Sequence, residues 1–455
     1  MARLETVREP AKDIPVFRRC DVLVVGGGPA GTAAAVAAAR TGADTILVER
    51  YGHLGGMSTG GFVTFIERMT DWSGRQVIAG FANDILDRIP REGILGPPDE
   101  LWGSKDPRLV DYWGDRHNAY HGVVTWSPTV DPEILKLVSN DLVLESGAKM
   151  LLHSWAVAPV QEGDQVRGVI FESKSGRQAV LAGVVIDATG DGDILAMAGA
   201  PYETDEEDHP DNYRTNVAFF WGGVDMERYL DFRRNQPEEF EGVTAIGRDL
   251  GLGADTRPHV MPRNDVALFM GPKLKGYSAI DVEDLTAVEL ESRRIMMIML
   301  DFYKRHMPGF GDAWVMSTAP QMGTRHSRRL VGVKKVTRED LRAGKVHDDE
   351  IGISPPPNPR NPNVSIPLGC LVPSELDNIL AAGRNLSCDA TVHSFLRLIP
   401  QCWEMGQAAG VAATTAMNSG VRVRDVDVNE VRRLLLKDGV VLHQKPDAGE
   451  GTMRR

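Results

Sequence analysis

The sequence predicts an α/β protein in which one parallel sheet is assembled from separated stretches of chain and carries an inserted α+β unit. Three observations predict it. The segment "CDVLVVGGGPAGTAAAVAAARTGADTILVER" (residues 20–50) passes from a β-branched run through clustered glycines into an alanine-rich stretch and a second apolar run. Residues 149–189 change to a period of two, with turn residues at Gly163-Asp164 and Ser175-Gly176. Residues 378–416 return to an apolar run, a Gly-Arg pair and a helix of small residues. Strands that alternate with helical patterns in this way belong to a parallel sheet.

Each element has a local reason. Asp21 to Val25 is short, apolar and β-branched, as a strand buried on both faces should be. Gly26, Gly28 and Gly31 complete G-x-G-x-x-G. Gly26 permits the tight turn, Gly28 lets backbone approach a pyrophosphate, and Gly31 lets helix and strand pack closely. The alanines that follow have high helix propensity, and Gly42 ends that helix. Thr45 to Val48 is the next strand, and Glu49 at its end suits ribose hydroxyls. Strand, glycines, helix, strand and acid together specify a dinucleotide, without separating NAD from FAD.

"RYGHLGGMSTGG" (residues 50–61) is a loop in which backbone can meet a ligand. Residues 70–125 hold Trp, Pro and Gly without a period and read as an irregular insertion. Asp131 to Gly147 opens with Asp-Pro and closes with Gly, so the spacing predicts a helix. "KMLLHSWAVAPV", "QVRGVIFES" and "GRQAVLAGVVIDATG" read as three strands. Residues 200–365 form a second unit, with an acidic run at 203–212, a helix at 281–306, an arginine-dense segment at 323–341 and a proline-rich connector at 354–367. The C-terminal "VDVNEVRRLLLKDGVVL" predicts one more amphipathic helix.

Composition narrows the function. At 455 residues the chain holds more than one structural unit. Its net charge is −12, with 63 acidic and 51 basic residues, which disfavours nucleic acid as a partner. Cys20, Cys370, Cys388 and Cys402 form no CxxC pair and have no zinc spacing. No metal site is expected. The first twenty residues mix charges and lack an apolar core, and Ala30 to Ala39 is too short to span a bilayer. A cytoplasmic protein without a membrane span is the expectation.

Four blocks carry a family resemblance: Gly26 to Glu49, "LGGMSTGG", "VVIDATGDGDILAMAGAPYE", and "SIPLGCLVPSELDNILAAGRNLSCDATVHSFLRLIPQCWEMGQAAG". The chain resembles the FAD-dependent oxidoreductases of the glutathione-reductase-like superfamily, distantly akin to fumarate reductase and succinate dehydrogenase flavoproteins. The resemblance implies a Rossmann-like FAD-binding domain with three-layer ββα architecture and an inserted substrate, or cap, domain. It divides the FAD-binding domain into residues 15–69, 126–204 and 361–420. Residues 70–125 are an insertion, 205–360 the cap, and 421–455 a C-terminal helix and tail. By the same resemblance FAD lies against Gly26, Gly28, Pro29, Ala30, Gly31, Glu49 and Arg50. Gly55, Gly56 and Met57 approach the flavin, Val157 meets adenine through its backbone, Ala188 and Gly190 lie near the adenosine half, and Gly383 and Arg384 near the pyrophosphate. His53 is spaced differently from the histidines that hold FAD covalently in some relatives, so the cofactor is expected to be non-covalent.

His393 and Arg397 match the His and Arg of the H-G-x-N-R block of fumarate reductases, with Ser394 and Leu396 replacing Gly and Asn. They are the expected catalytic pair, His393 to move a proton and Arg397 to anchor a carboxylate or an anionic flavin. Pro400 suits the first turn of the helix that follows, whose start then points at the flavin. Gly406, Ala408, Ala409 and Gly410 keep that helix slim for packing on the sheet. Residues 325–329, "RHSRR", read either as a solvated face or as a cluster from which Arg325 or Arg329 reaches flavin or substrate. The expected activity is hydride transfer between flavin N5 and a small organic molecule, with carboxylates among the candidate substrates. The alternatives are a redox-neutral hydratase or isomerase and a tRNA-modifying flavoprotein. Electron acceptor and homo-oligomeric state stay open.

Overall fold

The computed structural model describes residues 6–204, 215–252 and 257–443. The expected acidic run falls mainly outside them. The first part of the chain gives β1 (Val16–Val25), α1 (Pro29–Arg40), β2 (Thr45–Val48), α2 (Pro132–Ser146), β3 (Lys149–Leu151), β4 (Trp155–Glu162), β5 (Gln165–Ser173) and β6 (Gly176–Asp187). The inserted unit follows with β7 (Phe219–Gly222), β8 (His259–Val260), β9 (Val266–Phe269), α3 (Val282–His306) and β10 (Trp314–Thr318). The chain then returns through β11 (Ile379–Ala381), α4 (Ala390–Leu396), α5 (Ile399–Ser419) and α6 (Val428–Lys437).

The main sheet runs β3-β2-β1-β6 in parallel, and β11 adds to the far side of β6. Strand β6 serves two layers. Its first half, Gly176–Leu181, pairs antiparallel with β5, and its last residues, Val185–Asp187, pair with β11. β4 completes the antiparallel ribbon. Alternation explains the layering. Val22, Val24, Leu47, Ile186 and Leu380 join the core shared with the helices, whereas Leu23, Val25, Ile46, Val185 and Ile379 join the core on the ribbon side. Ribbon, sheet and helices are the expected ββα layers.

Local chemistry sets the ends. Asp131 caps α2 by accepting from the N–H groups of Glu133 and Ile134, and Gly147 closes it at φ +88°. One expected strand is two. "KMLLHSWAVAPV" breaks at His153, which sits at φ +52°, so β3 joins the parallel sheet and β4 the ribbon. The break is held by His153 N–H donating to the Tyr51 carbonyl and Ser154 N–H to the Glu49 carbonyl. The inserted unit has its own antiparallel sheet, β8-β9-β7-β10, over an aromatic core that includes Phe219, Trp221, Phe269, Tyr303 and Phe310. Val77, Ile78, Phe81 and Ile85, from the stretch read as an irregular insertion, pack into the helix-side core of the main sheet.

Candidate cofactor site

A cleft opens at the C-terminal ends of β1, β2, β6 and β11. The fingerprint glycines play three different parts there. Gly26 lies at φ +98°, and a Cβ on it would meet the Ala188 carbonyl oxygen at 2.5 Å. A Cβ on Gly31 would stand 1.7 Å from the Gly26 oxygen, so helix and turn touch directly. Gly28 is different. It sits at φ −68°, and a Cβ there would meet nothing nearer than the Gly56 Cα at 4.0 Å. Protein packing does not require a glycine at 28; the space beside it belongs to the cleft, which fits a phosphate approaching the backbone. Pro29 and Ala30 line the same wall. Gly28 is the cap of α1 and offers no side chain to its first-turn N–H groups. Those groups and the helix dipole favour an anion.

Glu49 lines the cleft at the end of β2 and is buried. Its carboxylate accepts from Gly27 N–H at 2.5 Å and Tyr51 N–H at 2.7 Å, which fixes its orientation and leaves lone pairs for hydroxyls. Arg50 lines the wall beside it, its guanidinium 4.9 Å from the Tyr51 ring centroid. At the start of β4, Ser154, Trp155 and Ala156 form the lining. Val157 is the next residue along the strand and is not part of it. Gly56 and Met57 line the cleft, while Gly55, at φ +89°, stands behind them and donates its N–H to the Gly27 carbonyl.

Ala188 and Gly190 line the wall beyond β6. Just before them, Asp187 is fully buried and accepts from Thr189 N–H and Oγ1 and from Leu195 N–H. Burial pushes its carboxyl up to about 6. Gly383, at φ +97°, packs against Ala30 and brings Ala382 and Arg384 onto the wall. Arg384 Nη2 donates to Asp191 Oδ1 at 2.8 Å.

Arg397 lines the cleft together with Ile399 and Cys402, where α4 ends and α5 begins. Leu398 provides no side-chain cap to α5 and Pro400 stands in its first turn. Burial pushes the Cys402 thiol up to about 12, so it is a protonated wall residue. His393 is placed differently from the expectation. It is fully buried on α4 and does not line the cleft. Its Nε2 lies 2.7 Å from the Arg384 carbonyl oxygen and its Nδ1 lies 3.0 Å from His326 Nδ1. A carbonyl only accepts, so Nε2 carries the proton and Nδ1 accepts from His326. Burial, then the neighbouring His326 and Arg397, holds the His393 pKa well below the usual histidine range. This neutral imidazole has both nitrogens engaged one layer behind the wall.

The segment 325–329 is not a solvated face. His326 and Arg329 are each 2% exposed, Arg329 pairs with Glu203 at 3.3 Å, and Arg328 with Asp193 at 2.9 Å. Sequence reasoning missed Asp193, Gln321, Cys402 and Ser154–Ala156 as lining residues. Asp193 sits in the "DGD" that follows the recognised "ATG", and that proximity was its one available signal. Among the described residues no group of three or more His, Cys, Asp or Glu could hold a metal ion, and no helix is long and apolar enough to cross a membrane.

Comparison with known proteins finds several solved structures similar to this chain. A geranylgeranyl bacteriochlorophyll reductase-like protein from Thermoplasma acidophilum matches at 15% identity over 92% of this chain and 82% of its own, with a TM-score of 0.48. A p-nitrophenol 4-monooxygenase from Pseudomonas putida matches at 11% identity, covering 92% and 84%, with a TM-score of 0.45. An aromatic hydroxylase from angucycline biosynthesis matches at 14% identity with a TM-score of 0.43, and here the alignment covers 92% of this chain and 65% of the hydroxylase. Family membership rests on the sequence instead: the model of the family described as FAD dependent oxidoreductase matches residues 21–435, nearly the whole described chain. The chain is a member of the FAD-dependent oxidoreductase family, and FAD is its cofactor.

Proposed function

We propose that this chain transfers a hydride between a small organic substrate and FAD held non-covalently in the cleft, and that Arg397 anchors an acidic or otherwise hydrogen-bond-accepting group of that substrate. The observation that carries the reading is the placement of Arg397 on the same wall as the uncapped first turn of α5, in the cleft that also holds the dinucleotide fingerprint. FAD supplies the two-electron chemistry when bound. The protein's own residues bind and orient. The first turn of α1 faces a pyrophosphate, Glu49 holds ribose hydroxyls, and Gly56 and Met57 bring loop backbone against the cofactor. The start of α5 contributes about half a positive charge, and the Arg397 guanidinium a full one, to a site where negative charge develops. His393 holds the Arg384 backbone rather than moving a proton.

Anaerobic mixing of the purified flavoprotein with a panel of alcohols, amines and hydroxy acids tests this. At least one class should bleach the oxidised-flavin absorbance. Arg397→Met should slow that bleaching about tenfold or more while retaining FAD, since a charged anchor is lost and the fold is not. Bleaching by no class, or an Arg397→Met rate equal to the parent's, would overturn the proposal.

A further inference from the structure

Residues 321–329 of the inserted unit touch the cofactor site at several points. Gln321 lines the cleft, and its N–H donates to the Gly60 carbonyl of the flavin loop. Ser327 Oγ donates to Asp191 Oδ1 at 2.7 Å, the same oxygen that receives Arg384 Nη2 at 2.8 Å. The neighbouring His326 donates to His393, which donates in turn to the Arg384 carbonyl. Two chains of hydrogen bonds therefore start at adjacent residues and converge on Arg384, one on its guanidinium and one on its backbone.

We propose that His326 and Ser327 are positioning residues for Arg384, through which the inserted unit sets how tightly FAD is held. Ser327 fixes the Asp191 carboxylate, and Asp191 fixes the guanidinium on the cleft wall. His326 fixes the neutral tautomer of His393, and His393 fixes the turn that follows β11. Arg328 strengthens the first arm by donating to the Asp191 carbonyl at 3.0 Å and to Asp193 Oδ1 at 2.9 Å. All of these groups are buried or half-buried, so water is a poor substitute for a missing partner. The inference rests on FAD as the cofactor and not on the reaction that follows, so it stands or falls separately from the hydride-transfer reading.

The release rate of FAD from the holoprotein, followed by the rise in flavin fluorescence on dilution, tests it. Ser327→Ala and His326→Leu should each speed release about tenfold, as expected for one buried hydrogen bond to a charged or fully engaged partner. Arg384→Met should speed it at least as much. The decisive variant is the double one: Ser327→Ala added to Arg384→Met should change release by less than about twofold, because the hydroxyl acts through the guanidinium. A residue that merely stabilises the fold would give factors that multiply. Multiplying factors, or a Ser327→Ala release rate within about twofold of the parent's, would overturn the proposal. Asp191→Asn, which keeps the volume of the side chain, makes the same comparison if Ser327→Ala does not fold.

Discussion

At the scale of single residues, the three fingerprint glycines separate folding from binding. Gly26 and Gly31 are required by protein atoms, whereas Gly28 has ordinary dihedrals and open space where its side chain would go. Gly28→Ala should therefore leave the thermal midpoint of the FAD-free protein within about 2 °C of the parent and weaken FAD binding at least tenfold, roughly the cost of 1.4 kcal/mol. Titration of FAD with parallel melting of the stripped protein checks both halves. An unchanged affinity would show that the pyrophosphate does not pass Gly28. The turn at these glycines and the place of Glu49 at the end of the second strand were legible in the sequence because both follow a fixed local spacing. His393 stands behind the cleft wall rather than on it. Its controlling partner, His326, is 67 residues away in the inserted unit, and no local pattern announces such a pairing.

At the scale of elements, α1 and α5 show why both helices are made of small residues. The sequence suggested that α5 is slim in order to lie on the sheet. The structure shows that Gly406 and Gly410 face α1: a Cβ on Gly406 would stand 2.0 Å from the Ala30 carbonyl oxygen, and one on Gly410 would stand 2.4 Å from that of Ala34. The obstacle in each case is backbone, which cannot rotate aside. Gly406→Ala should cost about 1–3 kcal/mol in denaturant unfolding, and because Ala30 lines the cleft it should also weaken FAD binding. A neutral substitution would mean that the helices are further apart than described. Caps made α2 readable to within a residue, since Asp131 and Gly147 sit where orphan backbone groups demand them. The break between β3 and β4 falls at the polar pair His153-Ser154, which is too short a signal to tell from the alternation of a single strand, and the positive φ of His153 turns the chain into the other layer.

At the scale of the whole molecule, β1 and β11, from opposite ends of the chain, flank β6, so the cleft exists only when the inserted unit is spanned. That unit meets the earlier insertion at a stacked pair, His117 and His259, with ring centroids 4.1 Å apart and planes at 21°. Desolvation, with the nearby Arg233, pushes His117 down to about 4, and desolvation, with His117 and Lys273, holds His259 well below the usual range. With His393, three imidazoles thus stay neutral in the fold while the unfolded chain takes up protons near pH 6.5. A depressed histidine contributes stability that is present above its unfolded pKa and is lost as pH falls below it. Asp187, raised to about 6, and Glu404, raised well above its ordinary value, act the other way, since the fold holds protons that the unfolded chain has released. Among the described residues His53 and His347 are also depressed and Asp193 is also raised, so five histidines oppose three carboxyls; below about pH 6 the unfolded chain binds the larger number of protons, and each net proton changes stability by about 1.4 kcal/mol per pH unit. The thermal midpoint should fall steadily from pH 6 to pH 5, and His259→Phe, which removes one of these histidines while keeping a ring against His117, should make that fall shallower. A midpoint that is flat over this interval, or a slope that His259→Phe leaves unchanged, would place the acid sensitivity of the molecule elsewhere than at the joint between its units.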